Sequence, residues 1–259
     1  MHASFLTAII LATAATVYAA PVSSSETVVA KRWFDPFAEN GGSSTTGSTG
    51  NSNGGTVTNK GNLIVNGANS NKAGNGGTTV SGGAIAGEGG LFWGHGGDAE
   101  SGNTGNTDGG SVTNEGNGIF NAAGSNQAGN GGTSRSGTAR AGNAKRALFW
   151  FDAGNGGKAT TGSTGDSNGG GATNQGDIIV NAPDTNIAGN GGTTVSGSAH
   201  ATDAGLLGGN GGDATSGNTG NTDGGSAGNN GNFIFNAAGS NHAGSGGVSR
   251  SGNAFAGEA

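Results

Sequence analysis

Val57-Thr58-Asn59-Lys60-Gly61-Asn62-Leu63-Ile64-Val65-Asn66 carries its apolar and polar side chains on a period of two. Successive side chains leave a strand on opposite faces, so this pattern predicts a half-buried β-strand. The stretch has three counterparts, Val112 to Asn121, Ala172 to Asn181 and Ala227 to Asn236. Their apolar centres read Ile119-Phe120, Ile178-Ile179-Val180 and Phe233-Ile234-Phe235. Glycine and asparagine flank every run, which is the chemistry of turns.

Working outward, double glycines mark the repeat. They begin at Gly41, Gly54, Gly76 and Gly96, and the same spacing returns through Gly109, Gly131, Gly156, Gly169, Gly191, Gly211, Gly224 and Gly246. Four units follow, and they form a duplicated pair, because Gly41 to Gly156 and Gly96 to Gly211 both span 115 residues. Asn75-Gly76-Gly77-Thr78-Thr79-Val80-Ser81-Gly82 recurs residue for residue as Asn190 to Gly197. Short strands, turn residues at fixed offsets and a repeating unit predict an all-β fold, a glycine- and asparagine-rich β-solenoid in which equivalent residues stack as ladders. At about 18 residues per coil, each unit would hold three coils. The rival reading is a largely disordered low-complexity chain, since bulk hydrophobicity is low.

Glycine supplies 61 of 259 residues. A chain so rich in glycine has much backbone entropy to lose and few side-chain carbons to bury, so order must come from backbone ladders and from repetition. Cysteine is absent, which excludes disulfide staples and thiolate metal sites. The formal charge of −6 is spread without a basic stripe, which argues against nucleic acid as a partner. Asn-x-Ser/Thr is also missing, despite abundant Asn, Ser and Thr, as suits a surface where bulky glycans would obstruct stacking.

The ends bear on compartment. Residues 1–20 read as a signal peptide, an apolar run from Phe5 to Val17 followed by the small residues Ala19 and Ala20. The run is short for a membrane span, and no later segment is apolar enough, so no membrane association is expected after the signal is removed. Two basic pairs, Lys31-Arg32 and Lys145-Arg146, lie 114 residues apart, each preceded by alanine and followed by an aromatic segment. Cleavage after them makes residues 21–32 a propeptide and releases two similar pieces, 33–146 and 147–259, with Lys31, Arg32, Lys145 and Arg146 as the processing residues.

In this organisation the chain resembles the fungal class of secreted glycine-rich repeat proteins processed at dibasic, kexin-type sites. The resemblance rests on a signal, a propeptide ending Ala30-Lys31-Arg32, and repeats separated by Lys145-Arg146. It covers organisation along the whole chain and no diagnostic motif. It implies a role like that of repellent-like wall proteins or of glycine-rich secreted effectors, with an extracellular, cell-wall or host-directed location. Pheromone and cyclic-peptide precursors differ, because their released units are short.

Candidate chemistry is thin. No double glycine leads to the Gly-Lys-Ser/Thr that a phosphate loop needs, Gly157-Lys158-Ala159 being the nearest approach. Asp98, Asp108, Asp213 and Asp223 border double glycines, as in calcium-binding β-rolls, but Ser43, Lys158, Asn53 and Asn168 stand at the equivalent places in the other units. His95, His200 and His242 occupy non-equivalent positions without a repeated carboxylate or serine partner. The expectation is a protein that is not an enzyme and uses neither cofactor nor metal. Aromatic clusters at the unit starts, Trp33-Phe34, Phe92-Trp93 and Phe149-Trp150-Phe151, are the candidate association residues, for self-association or for cell-wall polysaccharide. The first functional expectation is therefore a structural or surface protein of the fungal wall or matrix. The alternative is a secreted effector acting in virulence on a host plant protein.

Overall fold

A computed structural model describes residues 28–29, 40–90, 94–144, 154–204 and 209–258. These residues form 25 short strands and no helix. The first seven strands are β1 (Val28–Val29), β2 (Ser44–Thr45), β3 (Val57–Lys60), β4 (Leu63–Asn66), β5 (Asn71–Lys72), β6 (Thr78–Val80) and β7 (Ala84–Ile85). The six from β2 to β7 recur in each later unit and stack on their counterparts in parallel, giving six sheets that run the length of the molecule. β4, for example, pairs with Gly118–Asn121, which pairs with Ile178–Asn181, which pairs with Phe233–Asn236. The register is fixed by identity: Ile64, Ile119, Ile179 and Ile234 stand in one column, and Asn66, Asn121, Asn181 and Asn236 in another. The protein is an all-β solenoid of four coils, here numbered 1 to 4 from residues 40–90, 94–144, 154–204 and 209–258.

Two expectations need correction. A unit is not three coils of about 18 residues; it is one long coil, with equivalent residues 55 or 60 positions apart in successive coils. The ten-residue run from Val57 is two strands, β3 and β4, because the chain turns at Gly61-Asn62.

Glycine explains how so long a coil closes. In coil 1 the Gly74 N–H donates to the Gly55 carbonyl at 2.9 Å, Gly77 to Ser52 at 2.7 Å, and Gly87 to Gly42 at 2.8 Å. These necks divide the coil into lobes. The two walls of a neck approach so closely that a Cβ on Gly54 would lie 1.8 Å from the Gly74 oxygen. Neck hydrogen bonds also zigzag up the stack, from Gly74 to Gly55, Gly110 to Gly74 and Gly129 to Gly110, joining both walls and successive coils in one ladder. Positive φ is rare by contrast. It occurs at one turn, at the equivalent residues Asn69 (56°), Gly124 (68°), Asp184 (53°) and Gly239 (71°), and at Gly209. Asn, Asp and Gly are the residues that tolerate this left-handed conformation.

The lobe between residues 55 and 74 has an asparagine interior. Asn66 donates its side-chain amide to Asn121 at 2.7 Å, Asn121 to Asn181 at 2.7 Å and Asn181 to Asn236 at 2.7 Å. Parallel ladders run through Asn59, Asn114, Asn174 and Asn229, and through Asn71, Asn126, Asn186 and Asn241. Cross-bonds such as Asn114 to Asn126 at 3.1 Å tie the ladders together. In coils 2 and 3 a buried amide is tolerated because its oxygen accepts from the coil before and its NH2 donates to the coil after. The isoleucine column packs in the same lobe. The second lobe, residues 42–52 against 77–87, is lined by alanines, among them Ala84, Ala99, Ala139, Ala159 and Ala199, and by hydroxyls such as Ser101, which donates to the Gly137 carbonyl at 2.7 Å. Small side chains let its walls come close.

Candidate functional site

The processing residues Lys31, Arg32, Lys145 and Arg146 and the aromatic candidates Trp33, Phe34, Phe92, Trp93, Phe149, Trp150 and Phe151 lie outside the described residues. Their places in the chain are informative nonetheless. Lys145-Arg146 falls between coils 2 and 3, and Phe92-Trp93 between coils 1 and 2.

The acidic residues beside double glycines are engaged in the stack. The Asn53 side chain accepts the Asp108 N–H at 2.9 Å, Asp108 accepts the Asn168 N–H at 2.7 Å, and Asn168 accepts the Asp223 N–H at 2.8 Å. Asp98 accepts the Lys158 N–H at 2.8 Å in the same manner. Asn and Asp interchange in such a ladder because only a side-chain oxygen is required. Among the described residues no three acidic or histidine side chains gather in a geometry able to hold a metal ion.

The histidines are drawn into the stack individually. His95 accepts the Asn155 N–H at 2.9 Å, and His200 stacks on Phe255 with ring centroids 4.7 Å apart. His242 meets Asp184 at 2.9 Å on the exposed outer turn, a carboxylate contact that spacing along the chain did not reveal. The grooves of the surface are shallow and open, one of them following the bend between the sheets that contain β3 and β4, along Glu115–Asn117, Gln175–Asp177 and Asn230–Asn232.

The surface that stands out was not read as one from the sequence. In the sheet containing β4 the middle residue of each apolar triplet points inward and its neighbours point outward. Leu63 and Val65 are 66% and 72% exposed, and Phe233 and Phe235 are 63% and 61% exposed. Phe120 and Ile178 add to the same face. Strand pairing aligns Leu63, Gly118, Ile178 and Phe233 in one row and Val65, Phe120, Val180 and Phe235 in the other. Neighbouring strands lie about 4.8 Å apart, so the two rows make an apolar stripe along the solenoid, continuous through Val65, Phe120, Val180 and Phe235 and interrupted at Gly118 in the other row. The signal was available: three consecutive apolar residues in a strand must present two of them on one face.

No family model, curated protein or solved structure matches the chain. Its chemistry is therefore read from the geometry alone, and that geometry offers a long apolar stripe and the open face of the last coil.

Proposed function

We propose that the protein is a secreted, non-enzymatic structural protein, processed after Arg32 and Arg146 into two similar units that associate with the fungal cell wall or extracellular matrix. The observation that carries this reading is the apolar stripe on the outward face of the β4 sheet, whose strands are held in register. Exposed contiguous apolar surface on a polar protein marks a contact site. A stripe of phenylalanine and aliphatic residues suits adsorption to wall polymer or to a hydrophobic boundary, where ring faces lie against sugar faces. The polar groups of the stack support the same reading, because its asparagines, serines and threonines are committed to holding neighbouring coils.

An antibody raised to one mature unit tests this by localisation during free growth and during colonisation of a host. Retention in hyphal walls or matrix, lost when Phe233 and Phe235 are replaced by serine, is the expected outcome. Recovery of the protein inside host cells or diffusely in host fluid would overturn it in favour of a virulence effector.

A further inference from the structure

Among the described residues the stack ends at coil 4, and it is polar in direction. Interior side chains lean toward the coil that follows: the δ-methyl carbons of Ile64, Ile119 and Ile179 approach Gly116, Gly176 and Gly231 of the next coil. Asparagine amides donate in that direction too. Ile64 in coil 1 is accordingly 8% exposed, Ile119 and Ile179 are fully buried, and Ile234 in coil 4 is 38% exposed. All six sheets end at coil 4, where Asn236 and Asn241 occupy the donor positions of their ladders and are exposed.

What would cover that end is written inside the molecule. Coil 2 carries coil 3 through Asn114 on Asn174, Asn121 on Asn181, Asn126 on Asn186, Ile119 on Ile179, Ser134 on Thr194 and Ala139 on Ala199. Coil 4 offers Asn229, Asn236, Asn241, Ile234, Ser249 and Ala254 at those places, and coil 1 offers Asn59, Asn66, Asn71, Ile64, Thr79 and Ala84. The residue types at these six contacts are identical in the internal junction and in a junction between coil 4 of one copy and coil 1 of the next.

The other end is partly occupied. β1 pairs with β7 in parallel, Val28 with Ala84 and Val29 with Ile85. On the opposite edge of β7 the same two residues pair with Ala139 and Arg140. β1 therefore sits where Ala254–Phe255 of a preceding copy would sit, and it lies just before Lys31-Arg32.

We infer that copies of this chain stack head to tail into a filament, coil 4 of one against coil 1 of the next, through a repetition of the coil 2 to coil 3 junction, and that β1 blocks this contact until it is removed. The contact is heterologous and does not close on itself, so it propagates. Unpaired parallel edges in register are the usual template for such growth. The blocking step rests on cleavage after Arg32; the stacking does not, and it is also independent of wall association.

The full chain tests both parts, with Arg32→Ala and Arg146→Ala to prevent cleavage. Sedimentation and negative-stain microscopy compare this parent with a version also carrying Val28→Pro and Val29→Pro, which cannot donate ladder hydrogen bonds from β1. A third version adds Asn241→Lys, a charge that is solvated in the monomer and buried in the junction. The expected result is a monomeric parent, loss of the proline version from the supernatant as filaments one solenoid wide, and return of the third version to the supernatant with its circular dichroism unchanged. Monomers at all concentrations for the proline version, or filaments indifferent to Asn241→Lys, would overturn the stacking. Equal assembly of parent and proline version would overturn the block.

Discussion

Replacing Gly142 with alanine is the sharpest test of the close backbone approach between successive coils. A Cβ there would lie 1.7 Å from the Gly87 oxygen and 2.4 Å from its carbonyl carbon, against 3.4 Å for ordinary contact. Gly87 is the equivalent residue one coil away, so coils 1 and 2 must part there by about 1.5 Å, which strains or breaks the bond from the Gly89 N–H to the Asn143 oxygen, now 2.8 Å long. Overpacking of this kind costs about 1–3 kcal/mol, and a lost hydrogen bond adds about 1 kcal/mol. A total near 3 kcal/mol lowers the melting temperature by about 6–12 °C for a chain of this size. Gly50→Ala is the control, because nothing lies within 4 Å of the point where its methyl carbon would stand; its effect should stay within about 1 kcal/mol and favour folding, since alanine restricts the unfolded chain. Thermal melts followed by far-ultraviolet circular dichroism read both. A Gly142→Ala protein that melts with the parent, or a Gly50→Ala protein that loses as much, would refute the claim that these glycines serve close approach.

Asn126→Ala removes a buried amide that accepts from Asn71 and donates to Asn186; the Asn71 amide loses its acceptor while the Asn186 oxygen keeps the Asn174 amide, so urea denaturation should show a loss of about 1–3 kcal/mol, and the same change at exposed Asn241 should cost under about 1 kcal/mol. Ile179→Ala, fully buried between Ile119 and Ile234 in the isoleucine column, should cost about 2–4 kcal/mol in the same assay. Lys60→Ala breaks a 2.8 Å pair with Glu115 between exposed side chains and should change stability by no more than about 0.5 kcal/mol. Cleavage after Arg146 should leave the halves together in gel filtration, because the coil 2 to coil 3 ladders are unbroken, with mass spectrometry in denaturant resolving chains that begin at Trp33 and Ala147. Separation of the halves in native buffer would show that junction to be too weak to hold them.

The strands and their repeat were legible because period-two runs and double glycines recur at fixed spacing, and the pairing of Val57 with Val112 and of Ile119 with Ile179 follows that spacing directly. The size of a coil was not legible. A neck such as Gly54 against Gly74 is a contact between backbones, and backbone contacts leave no side-chain pattern beyond the glycine itself. The double glycines that mark the repeat in the sequence also form the walls of narrow passages. The apolar triplets were visible, but their division into an inward Ile234 and outward Phe233 and Phe235 depended on which face of the strand met the asparagine ladders. The aromatic clusters read from the sequence fall before coil 1 or in the links between coils, outside the described residues, and the exposed phenylalanines of the fold are instead Phe120, Phe233 and Phe235 on the β4 sheet.

The alternation of coil lengths carries a consequence for inheritance. The steps between successive coils are 55, 60 and 55 residues, so the first and last junctions are copies of one kind and the middle one is of another. A coding sequence that misaligns by one 115-residue block during recombination would therefore gain or lose two coils at a stroke. Every junction in the product would be of a kind already present, and the ladders would run on without a mismatch. Rod length can drift in a lineage far more freely than any one ladder residue, whose replacement must be accommodated by the coil on either side.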